Sequence, residues 1–265
     1  TPLTPSGAGF RFAPGPILEN PIRSLEQIKK LRSVDPEIDL QTVAQIIKGL
    51  NNNLNGELPV LGFAGSPMTL AFFLISGSNT KNKIKEVLAF LEERPEIAKV
   101  LLNWLTELTI DYINYQIESG VHVIQLFESF AEFIDLENYK KFVQPTHEKI
   151  FSSLSKKTPS ILFTKEFPHI DLMTKSGASV LSVGSCINLA VAKKNPNLIF
   201  QGNVNNKILA DGTKEDITQA VAKCFKQSGM NNHILNLNHG LLERTPFENV
   251  IHFITVAKEL GRIKK

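Results

Sequence analysis

The chain has 265 residues, 42% of them apolar and 21% charged, with a formal net charge of +3. This is ordinary globular composition, long enough to bury a substantial core, and it argues against disorder. So small a charge, with no Lys/Arg block interleaved with aromatics, argues against nucleic acid as a partner.

In chain order, the first 22 residues read as an irregular extension to one domain covering 1–265. Their opening run, TPLTPSGAGFRF, lacks the basic start and apolar core of a signal peptide. The most apolar stretch, PVLGFAGSPMTLAFFLISG from Pro59 to Gly77, is cut by Gly62, Gly65, Ser66 and Pro67. It therefore falls short of the about 20 apolar residues in a row that a membrane span needs. Instead it reads as a buried parallel strand, a tight turn and a very apolar helix, with Ser66 at the N-cap and Pro67 as the first helical residue.

A long helical pattern follows from Lys81 to Gly120, broken near Pro95, and then a second strand, VHVIQLFES, from Val121 to Ser129. Further strands are expected at Ser160–Lys165, Ala178–Val183, Asn197–Asn203 and His233–Gly240, separated by helical patterns at Leu136–Lys156, Thr213–Gly229 and Thr245–Arg262. Gly120 and Gly229 are placed to close helices. Strands alternating with helices mean an α/β fold with a parallel sheet. The six strands are two short of a closed (β/α)₈ barrel, the layout with eight.

In such folds ligands bind at the carboxyl ends of the strands. Gly65 and Ser66 end the first strand, where glycine either lets backbone approach a ligand or makes the tight turn. At the end of the second, Ser129 offers a hydroxyl to a substrate carboxylate or caps the next helix; strand alternation sets it on the face opposite Glu128. Lys165 and Glu166 end the third; Lys165 reads as a solvated ion-pair partner, with Schiff-base chemistry as the rarer use. Gln201 and Asn203 end the fifth, and His239 the sixth, as a structural hydrogen-bonder or a ligand contact. The two cysteines, Cys186 and Cys224, stand far apart and fit free thiols in a reducing compartment, so a cytoplasmic location is expected. Neither the cysteines nor the histidines show metal-ligand spacing, and no GxSxG elbow supports a Ser-His-Asp triad.

Several blocks together resemble the uroporphyrinogen decarboxylase family. GFAGSPMTLAFFLISG resembles that family's GFAGSPWTLATYMVEG; VIQLFESFAEFIDLENYKKFVQPTHEKI, IFQGNVNN, LNLNHGLLERTPFENVIHFI and GPILENPIRSLEQIKKL resemble further family blocks, in family order from Gly15 to Phe253. The resemblance implies a (β/α)₈ barrel, a homodimer, and the removal of carbon dioxide from the four acetate side chains of uroporphyrinogen to give coproporphyrinogen. It implies no metal, no organic cofactor, no nucleic acid and no membrane, only a small tetrapyrrole substrate. In that chemistry a protonated pyrrole ring takes up the electrons of the leaving carboxylate. A buried aspartate holds the pyrrole N–H groups and arginines hold the acidic arms.

Carried over residue by residue, the family's strand-end Ser/Thr corresponds to Ser129 and its substrate histidine to His239. Its tyrosine falls on Phe73, its Asp-Trp pair on Gly184 and Ser185, its NLDP turn on Asn203 to Asn206, and the glycine before its histidine on Asn238. The expected substrate-binding set is Ser129, His239, Phe73, Gly65 and Arg244, the last as a stand-in for the family's arginines. Those arginines and the aspartate belong to RQAGRYLPEY and FSDIL motifs that residues 1–265 do not contain, so no catalytic residue is assigned within them. That segment would also supply the two strands that the count lacks. Two other functions fit parts of the pattern. One is a catalytically silent homologue that binds a tetrapyrrole or a partner protein. The other is a corrinoid-linked methyltransferase, which needs a zinc site commonly built on a His-x-Cys pair; the sequence has no such pair.

Overall fold

The computed structural model describes residues 2–12, 16–77, 80–154, 158–192, 194 and 197–262. Contacts divide the chain into two compact units, one of residues 1–161 and 175–178, the other of 162–174 and 179–265.

In the first unit, β1 (Phe10–Phe12) and β2 (Pro16–Leu18) form an antiparallel pair with Phe10 opposite Leu18. This short pair lies inside the segment that reads as irregular from sequence. Next come β3 (Leu61–Gly65) and β4 (Val123–Glu128), paired in parallel with Gly62 opposite Ile124 and Gly65 opposite Phe127. Between them lie the helix Pro67–Ser76 and, after a break at Arg94, the long helix Pro95–Glu118. The break falls where expected because Pro95 has no N–H to continue the preceding helix, whereas it fits the first position of the next.

The helix Pro67–Ser76 is core almost throughout: Met68, Ala71, Phe72 and Leu74 are wholly buried. Its C-cap Gly77 has φ +74°, a conformation that L side chains rarely adopt. On β3, the Gln116 side chain clamps one residue, accepting the Phe63 N–H at 3.0 Å and donating to the Phe63 carbonyl at 3.1 Å. A Cβ on Gly62 would lie 2.8 Å from Gln116 Oε1 and would force that clamp to shift. The ring of Phe63 stands 62% exposed.

β5 (Ser160–Thr164) begins in the first unit and ends in the second. Its approach is parallel to β4, where the Ile124 N–H donates to the Pro159 carbonyl. In the second unit β6 (Val180–Val183), β7 (Ile199–Gln201) and β8 (His233–Ile234) pair in parallel, with Val180 opposite Ile199 and Gln201 opposite Ile234. Their outer layer includes the helices Lys214–Ser228 and Phe247–Leu260. The first begins in a reciprocal capping box between Thr213 and Asp216 and ends on Gly229 in the left-handed conformation. Strands β3 to β8 thus occupy the six expected positions, and helices alternate with them, as an α/β fold requires. β8 is shorter than its apolar pattern suggests. After Ile234 the pairing lapses and returns as a single bridge between Val204 and Leu237, leaving His239 in the loop beyond.

Among the described residues no helix is long and apolar enough to cross a membrane.

Candidate functional site

Two polar clusters lie at strand ends, one in each unit. In the first unit, Ser66 precedes the helix Pro67–Ser76 with extended backbone, as an N-cap does, but its hydroxyl makes no capping bond. It turns inward, 3.0 Å from His147 Nε2, and both side chains are wholly buried. A π-turn at Tyr139–Val143 leads into the helix Gln144–Ser153, which carries His147. The buried Tyr139 hydroxyl lies 3.4 Å from His147 Nδ1. Burial, with the Glu128 carboxyl adding to it, pushes the Tyr139 phenol far above its usual range, so it stays protonated.

Glu128, the last residue of β4, is also wholly buried. Its Oε1 accepts from the Thr69 hydroxyl at 2.7 Å, while Oε2 stands 3.8 Å from His147 Nε2 and has no hydrogen-bond partner among the described residues. The same Thr69 oxygen accepts the Ser129 N–H at 2.8 Å. A chain of hydrogen bonds therefore runs from the β4 carboxylate through Thr69 to the half-buried Ser129. Ser129 does not cap the next helical turn, whose N-cap is Phe130. Phe73 is half-buried, its ring 5.7 Å from Phe130 and edge-on, and Phe72 stacks on Phe130 at 4.5 Å. Gly65 is half-buried, and a Cβ there would lie 2.9 Å from the end of Leu70, a flexible neighbour.

In the second unit Glu166 follows β5 with φ +46°. Its carboxylate accepts from the Ser185 N–H (2.9 Å), the Ser185 hydroxyl (3.1 Å), the Cys186 N–H (2.9 Å) and the Asn238 side-chain amide (2.7 Å). Burial alone would raise the Glu166 pKa; the bonds from Asn238, Ser185 and Cys186 together outweigh it and hold the carboxyl below its ordinary value. The Asn203 side chain donates to the carbonyls of Gly184 and Ile187. His239 is exposed, its ring 5.9 Å from that of Phe163.

Arg244 is exposed and forks onto Asp211, with Nε to Oδ1 at 2.8 Å and Nη2 to Oδ2 at 2.7 Å. The Asp211 hydrogen bonds raise the Arg244 pKa, and those from Arg244 lower that of Asp211. An acidic ligand arm would compete with Asp211 for this guanidinium. Lys165 is half-buried. Cys224 is buried in the helix Lys214–Ser228, and burial pushes its thiol pKa up, whereas Cys186 is exposed. Among the described residues no group of three or more His, Cys, Asp or Glu is arranged to hold a metal ion.

Of the residues singled out from sequence, Ser129, Phe73 and Gly65 lie in the first unit, and His239 and Arg244 in the second. Strand-end position located Ser129. Sequence does not reveal the roles of Thr69, Glu128 and His147, because Thr69 sits within an apolar helical pattern, His147 within a mostly polar one, and the strand alternation only sets Glu128 opposite Ser129. Glu166 was noticed only as the neighbour of Lys165.

Comparison with known proteins adds the following. The family described as uroporphyrinogen decarboxylase (URO-D) matches residues 1–260. Similar curated proteins include the uroporphyrinogen decarboxylase of Geobacter metallireducens, 33% identical over 269 residues, which cover 99% of this chain and 78% of that protein. The protein of the same name from Prochlorococcus marinus is 34% identical over 272 residues, covering 99% of this chain and 77% of that one. Among solved structures, a B12-independent methionine synthase from Shewanella superposes with a TM-score of 0.57 at 12% identity, covering 92% of this chain and 70% of its own. That likeness concerns the fold alone.

Proposed function

Because the chain belongs to the uroporphyrinogen decarboxylase family, we propose that the protein carrying it decarboxylates the four acetate arms of uroporphyrinogen to give coproporphyrinogen. On this reading it works as a cytoplasmic homodimer without metal or organic cofactor. The observation that carries the reading is the alignment of 99% of the chain with decarboxylases at a third identity. In the first unit Ser129 contributes a hydrogen bond to a carboxylate arm, and Gly65 and Phe73 contribute wall. In the second unit His239 contributes a hydrogen bond, and Arg244 contributes charge by exchanging Asp211 for a substrate carboxylate. The arginine-loop and aspartate motifs of the family are not found within residues 1–265. The proposed part of these residues is therefore to bind and orient the tetrapyrrole, and by themselves they are expected to bind it without turning it over.

A second reading is favoured by one observation. Phe73 presents a phenyl ring against Phe130 at the position where the family resemblance places a tyrosine hydroxyl. On that reading the protein is a silent homologue that binds a tetrapyrrole.

The test is coproporphyrinogen formation from uroporphyrinogen under anaerobic conditions by the natural polypeptide that carries these residues. Turnover that falls on His239→Ala supports the decarboxylase. Tight tetrapyrrole binding with no product supports the silent homologue. Neither binding nor product would overturn both.

A further inference from the structure

In the second unit the segments after two other strands converge on the carboxylate that follows β5: Glu166 follows β5, Ser185 and Cys186 follow β6, and Asn238 lies beyond β8. Ser185, Cys186 and Asn238 all donate to Glu166, at 2.7–3.1 Å. Asn238 is 7% exposed and is tied on both ends of its amide: Nδ2 donates to Glu166, and Oδ1 accepts the Asn206 N–H at 2.7 Å. Its backbone N–H donates to the Val204 carbonyl at 2.8 Å. The next residue is the exposed His239.

Glu166 reaches this place with φ +46°, a backbone conformation that is uncommon for a residue other than glycine. Such a conformation persists when the surroundings over-determine it. Four accepted hydrogen bonds supply that constraint here.

Gly184 completes the arrangement. A Cβ on Gly184 would lie 2.7 Å from the backbone N and Cα of Glu166 and 2.8 Å from its Cδ. Two of those atoms are backbone and cannot swing aside, so a side chain at 184 and the present course of residue 166 exclude each other. A carboxylate grown from position 184 would enter the volume that the Glu166 carboxylate now fills.

We infer that Glu166 is a positioning residue for His239: its carboxylate locks Asn238, and it does so from the space that a side chain at 184 would otherwise occupy. The consequence for function rests on the decarboxylase reading, in which His239 meets a carboxylate arm of the substrate. The geometric part does not depend on it.

Glu166→Gln exchanges one accepting oxygen for a donor, which then faces an N–H or amide donor. Asn238→Ala removes the bridge while leaving the carboxylate in place. Glu166→Gly combined with Gly184→Asp moves the carboxylate from one segment to the other. All are made in the natural full-length polypeptide and read two ways. The first readout is KM against kcat for uroporphyrinogen. The second is the imidazole resonances of His239 by NMR, assigned by their loss in His239→Ala, which needs no turnover.

Loss of the bridge is expected to raise KM roughly fivefold to tenfold, with kcat changed less than about twofold because the group does not touch reacting atoms. Glu166→Gln and Asn238→Ala should each shift the His239 resonances. Gly184→Asp alone should perturb them too, and the carboxylate-relocating double variant should return them toward wild type. The inference is overturned if folded Glu166→Gln and Asn238→Ala leave the His239 resonances unmoved, or if the double variant is as perturbed as its two single changes combined. A wild-type protein without turnover would defeat the decarboxylase reading while leaving the resonance comparison decisive. Should Glu166→Gln not fold, the comparison of the double variant with Gly184→Asp alone decides.

Discussion

Thr69→Val removes one hydroxyl while nearly preserving shape, and that hydroxyl makes two hydrogen bonds in a buried place. Thr69 is 4% exposed and Glu128 wholly buried. The substitution deletes the 2.7 Å bond to Glu128 Oε1, leaving that oxygen, among the described residues, the Phe130 N–H at 3.4 Å. It also strips the Ser129 N–H of its 2.8 Å acceptor. A lost intramolecular hydrogen bond costs about 1 kcal/mol net, and a buried group left unsatisfied costs about 1–3 kcal/mol. Since Ser129 is only half-buried, water can reach it in part, and the lower half of the range applies. The expected loss is about 2–3 kcal/mol. With a urea slope of about 2 kcal/mol/M the midpoint should fall by about 1 M.

The probe is the chain's single tryptophan, Trp104, in the helix Pro95–Glu118 of the same unit. Thr69→Ser is the control, because it keeps the hydroxyl and loses only a methyl. A midpoint shift below about 0.3 M for Thr69→Val, or a Thr69→Ser loss as large as that of Thr69→Val, would show that the hydroxyl does not hold these two groups.

Three further outcomes are expected. The Glu166 pKa is lower in the folded state, so its bonds stabilise the fold above the unfolded value of about 4.3 and that contribution fades as pH falls through the folded value. In urea melts the stability gap between wild type and Glu166→Gln should therefore be full at neutral pH and narrow at and below about pH 4. Asp211→Asn weakens the hold on Arg244 and should lower KM for uroporphyrinogen if Arg244 meets an acidic arm; an unchanged KM removes Arg244 from the site. Phe73→Tyr restores a hydroxyl to the wall and should keep or raise turnover. A large loss in a well-folded variant would mean that the pocket has closed around the phenyl ring, which already packs on Phe130.

The α/β class, the positions of β3 to β8, the break at Pro95 and the family are all legible in the sequence. These are local properties. Strands of a parallel sheet read as apolar runs, proline must open rather than continue a helix, and the family blocks are contiguous strings. β3 reads as such a run, but it is not the fully buried strand its pattern suggests, since Leu61 and Phe63 stand exposed on one face. The extent of β8 was less legible. HILNLNHG alternates as a strand should, but its pairing depends on β7, and β7 itself spans only Ile199–Gln201 before the single bridge at Val204.

Which polar groups at the strand ends work together depends on contacts between distant parts of the chain. Thr69 meets Glu128 across 59 positions, Asn238 meets Glu166 across 72, and Ser66 meets His147 across 81. Nothing local marks those partners. Ser66 has the sequence signature of an N-cap and occupies that position, yet its hydroxyl makes no capping bond and instead meets His147 Nε2, because a wholly buried imidazole needs a hydrogen-bond partner. Gly184 is the same lesson in reverse. From sequence it is a lost side chain, and in the fold it is the space that Glu166 fills.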